Sequence, residues 1–223
     1  MSVNSNPQKQ LNRGFLVALG SAVVLSFTAI LIRLISQNYQ MPALILAYWR
    51  EIFVALCLLP ALLIFKPALL SLEKRHLAFM VFFGLVMALF NMLWTLSVTL
   101  IGASVATVLV YCSGAFTAIL GWWLLKEPLG LRKITAVILC LVGALFVSGA
   151  ANPAAWEANA LGIITGILSG LMYAFYSLMG RTATQRGINP WTTLFYTFLF
   201  ASFFMLVANL IPGNFKGEGL SRH

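Results

Sequence analysis

The stretch RLISQNYQMPALILAY at residues 33–48 returns in altered form as RTATQRGINPWTTLFY at residues 181–196. Arginine, glutamine, proline and tyrosine recur at matching places, and these matches carry more weight than leucines in a chain this apolar. Extended outward without a gap, the match joins residues 14–62 to residues 162–210. An internal repeat indicates the architecture before any single motif does.

The composition places this chain in a membrane. Hydrophobic residues make up 61% of it and charged residues 9%, whereas a soluble domain has about a quarter charged residues. The net charge of +9 is spread in ones to threes between apolar runs, without the basic, aromatic-rich face of a nucleic-acid-binding protein. The three cysteines are isolated in apolar runs, so no disulfide framework, metal site or cofactor is predicted.

Seven apolar stretches are long enough for spanning helices, which need about 20 residues. The sequence therefore predicts an all-α polytopic membrane protein with polar tails at residues 1–13 and 212–223. A tight hairpin is predicted at residues 99–102, between the third and fourth segments. The predicted spans cover residues 14–36, 43–65, 77–97, 101–125, 131–150, 160–180 and 191–211.

The basic residues predict a cytoplasmic N-terminus, because lysine and arginine favour the cytoplasmic side. In that orientation the outer loops at 98–103 and 151–159 contain neither residue. Segment six repeats segment one, so the repeat unit has five helices. Because five is an odd number, the second copy has the opposite orientation in the membrane. Residues 14–150 would form the first repeat and residues 160–211 two helices of the second. Inverted repeats are typical of secondary transporters, which bind solute between the copies.

Nearly the whole chain, about residues 14–211, resembles the EamA-type drug/metabolite transporter family, most clearly in segments three to five. The resemblance is carried by Arg50, by Asn91, by the segment-four end WLLKEPL at residues 123–129, and by Gly143. Two departures are Gly114, where the family usually has proline, and Lys126 with Pro128, in place of glycine and arginine. The resemblance implies a ten-helix carrier of the inner (plasma) membrane, of which seven helices are present. It also implies that small metabolites, such as amino acids or drug-like solutes, cross by alternating access.

Arg50 and Glu51 are a charged pair well inside a predicted span. An ionisable residue at a helix centre costs roughly 2.5–3.5 kcal/mol on insertion scales, so such residues are functional by default. Adjacent helical side chains point about 100° apart, so we expect these two not simply to neutralise each other. The functional interpretation is a substrate contact or a proton site at Glu51. The alternative is a structural pair in which Arg50 snorkels or binds loop carbonyls.

Polar and aromatic residues of segments three, four and six form a second candidate set. Aromatics that converge with a few hydrogen-bonding groups suit a cavity for partly apolar solutes, and we expect that site between segments one, three, four and six. Ordinary interhelical packing is the alternative for each residue. The set comprises Asn91, Trp94, Thr95, Thr107, Tyr111, Gly114, Tyr173, Tyr176 and Ser177.

Small residues recur every four positions on three segments and predict helix-packing faces. Segment six carries Gly162, Gly166 and Gly170, and segment one carries small residues at the matching positions. Segment five carries a similar series that includes Ala136 and Cys140.

Other classes of protein fit less well. A retinal protein needs a lysine that 191–211 lacks. An intramembrane protease needs an aspartate, which the sequence does not contain, or a Ser–His dyad, whereas His76 lies in a predicted loop and His223 at the terminus. The chain is therefore not predicted to be an enzyme. The competing interpretation is a truncated, non-transporting fragment, with the small-residue faces of segments six and seven unpaired. Such a fragment, or a component of a larger bundle, would need self-association or a partner chain.

Overall fold

The computed structural model describes residues 43–126, 130–147 and 160–210, together with residues 15, 16, 19, 20 and 23. The chain divides into two units, Met1–Pro42 and Ala43–His223. In the first unit the five described residues are all helical, and the remainder of the predicted first span lies outside the described residues. Everything that follows concerns the second unit.

The second unit is built from helices, and its described residues contain no strand. Helix α1 spans Ala43–Phe65 and leads into a 3-10 helix at Pro67–Leu70. Helix α2 then runs over Lys74–Ile101. The later helices are α3 (Ala103–Tyr111), α4 (Ser113–Leu125), α5 (Leu131–Val147), α6 (Ala160–Gln185) and α7 (Pro190–Leu210).

The tight hairpin predicted between the third and fourth segments is present at Gly102. This residue adopts φ 82°, a left-handed conformation that glycine reaches without a steric penalty. Its backbone N–H donates to Val98 O at 2.9 Å and closes α2, and α3 begins at the next residue. The predicted hairpin is therefore confirmed.

The fourth predicted segment, residues 101–125, contains the candidate span Ala103–Trp123, but the helix is interrupted within it. A turn at Cys112 separates α3 from α4, and the Cys112 N–H donates to Leu109 O, one residue short of an α-helical bond. The break lies two residues before Gly114, the position at which the family that the sequence resembles usually has proline. The helical spacing from Tyr111 to Gly114 is therefore interrupted.

Five helical stretches of the described residues are long and apolar enough to cross a membrane. They correspond to five of the seven predicted spans, and α3 and α4 together form one of them. Helix α5 occupies the predicted span at 131–150 but is described only to Val147. The five stretches are Leu44–Ile64, Lys74–Val98, Ala103–Trp123, Ala160–Gln185 and Pro190–Leu210.

Helix α2 lies at the centre of the second unit. Its most extensive contacts are with α6 and then with α7, and α7 in turn packs against α1. Two buried clusters line these contacts: one joins α1, α2 and α7 around Met87 and Met205, and the other joins α2 and α6 around Phe83 and Ala183. The N-terminal end of α7 is bonded to the 3-10 helix, because the hydroxyl groups of Thr192 and Tyr196 donate hydrogen bonds of 2.7 Å to the carbonyls of that helix.

The small-residue face of α6 packs closely against α2 and α3, as predicted. A Cβ on Gly162 would lie 2.5 Å from Ile101 Cγ2, and one on Gly166 would lie 2.6 Å from Leu109 Cδ1. Ser97 crosses the same contact and donates to Gly162 O at 2.9 Å. The expectation that an incomplete second repeat leaves this face unpaired is therefore wrong, because helices of the first repeat cover it.

The predicted packing face of α5 is not formed among the described residues. Ala136 and Cys140 are both exposed, and a Cβ on Gly143 would meet no described atom within 4 Å. A four-residue spacing of small side chains therefore marks a contact on α6 but not on α5, because the spacing alone does not supply a neighbouring helix.

Gly84 gives a direct test of the α2–α7 packing. An added Cβ would lie 2.4 Å from Phe200 Cβ and 3.0 Å from the backbone nitrogen of Ala201. Because the backbone of α7 must move, we expect Gly84→Ala to lower the free energy of unfolding by about 1–3 kcal/mol. Thermal or denaturant unfolding in detergent measures the change.

The matched control is Gly143→Ala on α5, where an added methyl group meets no described atom within 4 Å. It should leave stability unchanged or raise it slightly, since alanine is the better helix former. Equal losses in the two variants would contradict the packing described for Gly84.

Candidate functional site

Glu51 is a carboxylate enclosed within the described helix bundle. It lies in the first half of α1, and its side chain is 0% exposed. A buried charge is tolerated when it is paired and hydrogen-bonded, and the Glu51 environment meets that condition at one of its two carboxylate oxygens. Oε1 accepts bonds from Arg50 at 2.9 Å and from Asn91 Nδ2 at 2.8 Å.

Arg50 and Glu51 form an ion pair, which corrects the expectation that neighbours on a helix do not simply neutralise each other. The Arg50 Nη2 atom lies 2.9 Å from Glu51 Oε1. The two Cβ atoms point in different directions, but the long arginine side chain bends back far enough to close the pair. The same guanidinium donates to Asn91 Oδ1, so among the described residues the partners of Arg50 are side chains and not loop carbonyls.

Asn91 links α1 to α2. Its amide nitrogen donates to Glu51 Oε1 and also to Met87 O, 3.1 Å away on its own helix, while its oxygen accepts from Arg50. Asn91 is fully buried. Each end of the amide therefore meets the partner of opposite polarity, which fixes the orientation of the side chain. We call Arg50, Glu51 and Asn91 the polar cluster.

The second carboxylate oxygen of Glu51 has a different environment. Oε2 is buried and accepts no hydrogen bond from any described residue. Leaving a buried charged acceptor without a donor is costly, and such an atom is a natural point for a proton or a solute donor to bind. The polar cluster thus combines Glu51 Oε1, whose hydrogen bonds link α1 to α2, with Glu51 Oε2, which is available to accept a proton or a hydrogen bond from a solute.

Aromatic rings lie beside the polar cluster along α2 and α6. Phe90 contacts Tyr173 with ring centroids 5.2 Å apart, Tyr173 contacts Tyr176 at 5.9 Å, and Tyr176 contacts Phe83 at 5.1 Å. Two of the predicted aromatic residues, Tyr173 and Tyr176, therefore lie in one continuous ring contact along the α2–α6 interface.

A cleft of about 250 Å³ opens between α2, α6 and α7, and Tyr176 is one of its lining residues. It includes Ser177, a member of the second candidate set. Its walls carry hydroxyl groups and two aromatic rings but no charged side chain. The lining residues are Phe83, Tyr176, Ser177, Gly180, Thr184, Pro190, Thr193, Leu194 and Thr197.

Thr193 and Thr197 are cleft residues that were not predicted from the sequence. Their hydroxyl oxygens are buried and have no hydrogen-bond partner among the described residues. The two lie four residues apart on α7, so they share one helix face. That spacing of polar residues in an apolar segment was the signal available in the sequence.

The remaining members of the second set are not joined to the polar cluster by any described hydrogen bond or ring contact. Thr107 donates to Ala103 O at 2.6 Å within its own helix, and Tyr111 is 49% exposed at the α3–α4 break. Trp94 is partly buried and Thr95 is buried, one turn beyond Asn91 on α2. The predicted site thus divides into the polar cluster on α1 and α2, the ring contact that includes Tyr173 and Tyr176 on α6, and separate residues on α2 and α3.

The polar cluster offers groups that can bind a small solute. No group of three histidine, cysteine, aspartate or glutamate side chains that could hold a metal ion occurs among the described residues. The polar cluster instead offers one cation, one anion and an amide, set beside aromatic rings in an apolar surrounding. Such groups can recognise a small solute by charge and hydrogen bonding.

Comparisons with known proteins agree with the helical architecture. Residues 12–149 match the EamA-like transporter family. Over 103 residues, 46% of this chain, the sequence is 30% identical to a Synechocystis sp. protein named uncharacterized transporter sll1319. Over 93 residues, 41% of this chain, it is 26% identical to a Bacillus subtilis protein named uncharacterized transporter YxxF. The matches span 31% and 29% of the two relatives' lengths. No solved structure matches the chain.

Replacement of Asn91 tests the link between α1 and α2. Asn91→Leu removes two hydrogen bonds from the ion pair while keeping a side chain of similar size. We expect the free energy of unfolding to fall by roughly 1–3 kcal/mol, because a buried charged pair loses its neutral partner. Unfolding in detergent, followed by tryptophan fluorescence, measures this change.

Asn209→Leu on α7 is the matched control. Asn209 is also buried and also donates to the carbonyl four residues earlier, at 2.8 Å, but no described bond joins its side chain to another helix. Its replacement should cost much less than that of Asn91. A larger loss in the control would contradict the bridging role of Asn91.

Proposed function

We propose a transport function from one premise: this chain belongs to the EamA-like transporter family, whose match covers residues 12–149. It is a multi-pass membrane protein. The proposed activity is secondary transport of small metabolites, such as amino acids or drug-like solutes, by alternating access. In this proposal the protein lies in the inner membrane with its N-terminus in the cytoplasm, as the basic residues predict.

The observation that carries the proposal is the burial of the polar cluster inside apolar helices. The Glu51 carboxylate is 0% exposed, and one of its two oxygens accepts no hydrogen bond from the described residues. A purely structural role in the membrane does not require such a costly group. Intramembrane ionisable residues mark solute and ion pathways more often than structural contacts. The cluster is therefore the proposed solute-binding point.

Its depth along the helices agrees with this role. Glu51 lies eight residues after the start of α1, and Asn91 lies ten residues before the end of α2. At the rise of an α-helix these offsets correspond to about 12–15 Å, close to half of a hydrocarbon core about 30 Å thick. Secondary transporters bind their solutes near the midplane, where both sides of the membrane are accessible in turn.

The charges of the polar cluster favour solutes without net charge. Arg50 and Glu51 sum to zero, so a zwitterion can place its carboxylate on the guanidinium and its ammonium on Glu51 without adding charge to the membrane interior. Amino acids have this form. The rings of Tyr173 and Tyr176 would then contact the apolar part of the solute, as in other solute pockets.

The other predicted residues keep secondary places in this proposal. Trp94, Thr107 and Tyr111 would contact solute in a different conformational state, since alternating access moves one half of a carrier against the other. The inverted repeat, residues 14–150 and 160–211, would supply those halves. Self-association or a partner chain also remains a prediction, and the exposed side of α5 is the surface on which we expect it.

Transport by the full chain in proteoliposomes tests the proposal. Uptake and efflux of a panel of labelled amino acids should exceed those of empty vesicles, and Arg50→Gln should reduce transport at least about tenfold because a buried charge-assisted contact is lost. Because the variant leaves Glu51 unpaired, folding is checked in parallel by circular dichroism.

Arg75→Gln provides the control. Arg75 also pairs with a glutamate, Glu73, at 2.6 Å, but that pair is exposed, so its loss should leave transport unchanged. Absence of flux for every solute of the panel, or equal loss in both variants, would argue against the transport function of the polar cluster.

A further inference from the structure

We infer that Glu51 is a proton acceptor whose protonation releases Arg50 to bind an anionic solute, so that each monovalent anion is bound together with one proton. The inference rests on the proposed function and assigns it a coupling ion and a further class of solute. It follows from the unequal environments of the two carboxylate oxygens and from the balance of charge at a buried site.

The charge balance sets the stoichiometry. With Glu51 ionised, the Arg50–Glu51 pair is neutral, and a bound anion would leave one uncompensated negative charge in an apolar surrounding. When a proton adds to the carboxylate, Glu51 becomes neutral and Arg50 keeps its own proton and its charge. A bound carboxylate then restores neutrality by pairing with the guanidinium. Proton and anion therefore bind together and leave together.

Geometry identifies the oxygen that takes the proton. Glu51 Oε1 already accepts two hydrogen bonds, at 2.8 and 2.9 Å, whereas Oε2 is buried and accepts none from the described residues. A proton on Oε2 therefore displaces no existing donor. The new O–H removes the charge on Oε1 that holds Arg50, and the guanidinium then keeps only its bond to the Asn91 oxygen.

Arg50 is placed to exchange partners. Its side chain is 32% exposed within the described structure, against 0% for Glu51. The anion that binds Arg50 therefore need not enter the space that Glu51 fills. Because guanidinium groups bind carboxylates through two parallel bonds, a solute carboxylate is a suitable replacement for the protonated Glu51.

Few other described groups compete for this proton. On α1 the nearby titratable groups are Arg50 and Tyr48, and the 3-10 helix has none. Helix α2 has no charged residue after its first turn. The one titratable side chain of α7, Tyr196, donates its hydroxyl to the 3-10 helix. Helix α6 contributes the phenol of Tyr176, and phenols are ordinarily not acids at neutral pH.

The test uses benzoate as the probe and benzamide, its uncharged isostere, as the comparison. The full chain in detergent is titrated with each of the two compounds at about pH 5 and at about pH 9. Benzoate itself and an ordinary carboxyl side chain are ionised at both pH values. Thermal stabilisation reports binding. We expect benzoate affinity to fall with rising pH by up to about tenfold per pH unit, as linkage to one proton requires, and benzamide binding to show no such dependence.

Two variants separate the roles of the pair. Glu51→Gln mimics the protonated carboxyl and should bind benzoate equally at both pH values. Arg50→Gln should bind it at neither. Glu73→Gln, in the exposed pair, should behave like the wild type. Retention of the pH dependence in Glu51→Gln, or of benzoate binding in Arg50→Gln, would overturn the inference.

A measurement on the wild-type chain alone guards against variants that fail to fold. In weakly buffered solution containing a pH indicator dye, each benzoate should take up about one proton when it binds in the pH range where its affinity falls about tenfold per pH unit. Benzoate binding without proton uptake, or no benzoate binding at about pH 5, overturns the inference. Coupled binding in a chain that moves no solute in proteoliposomes would instead reject the transport function and leave this inference standing.

Discussion

The structure depends on the cost of keeping a carboxylate inside an apolar helix bundle. Glu51 is fully enclosed, and Arg50 and Asn91 offset that cost at one oxygen only. Because Asn91 belongs to α2, the compensation also joins two helices that otherwise make limited contact. Breaking a buried pair by removing one partner typically costs about 3–5 kcal/mol, so the same side chains that offer a binding point also constrain the helices that surround it.

Close helix packing supplies the rigid frame for this cluster. Hydrophobic burial does little to associate helices within lipid, so small residues that let backbones approach do much of that work. Gly84 allows α7 to pack closely against α2. Gly162 and Gly166 allow α6 to pack closely against α2 and α3. The aromatic contact from Phe90 to Phe83 follows the resulting α2–α6 interface, and Phe90 is the neighbour of Asn91 on α2. Packing and recognition therefore share one interface.

Much of this arrangement can be predicted from the sequence, but contacts between distant residues cannot. Apolar runs of sufficient length predict the spans, and Gly102 predicts the hairpin, since both are local properties. The Arg50–Glu51 pair was recognised as unusual, but its closure depends on Asn91, forty residues away, which no local pattern reveals. The break at Cys112 and the exposure of the α5 small-residue face likewise depend on neighbouring helices. Thr193 and Thr197 gain their interest only from the cleft that α2 and α6 form against them.

The central claim is that Glu51 and Asn91 act as a unit across the α1–α2 interface. A double-mutant cycle on the free energy of unfolding, with Glu51→Gln, Asn91→Leu and the double variant, tests it most directly. The two residues are bonded at 2.8 Å, so we predict a coupling energy of about 1 kcal/mol or more, within the range for residues in contact. Additive effects, with a coupling energy indistinguishable from zero, would contradict the account.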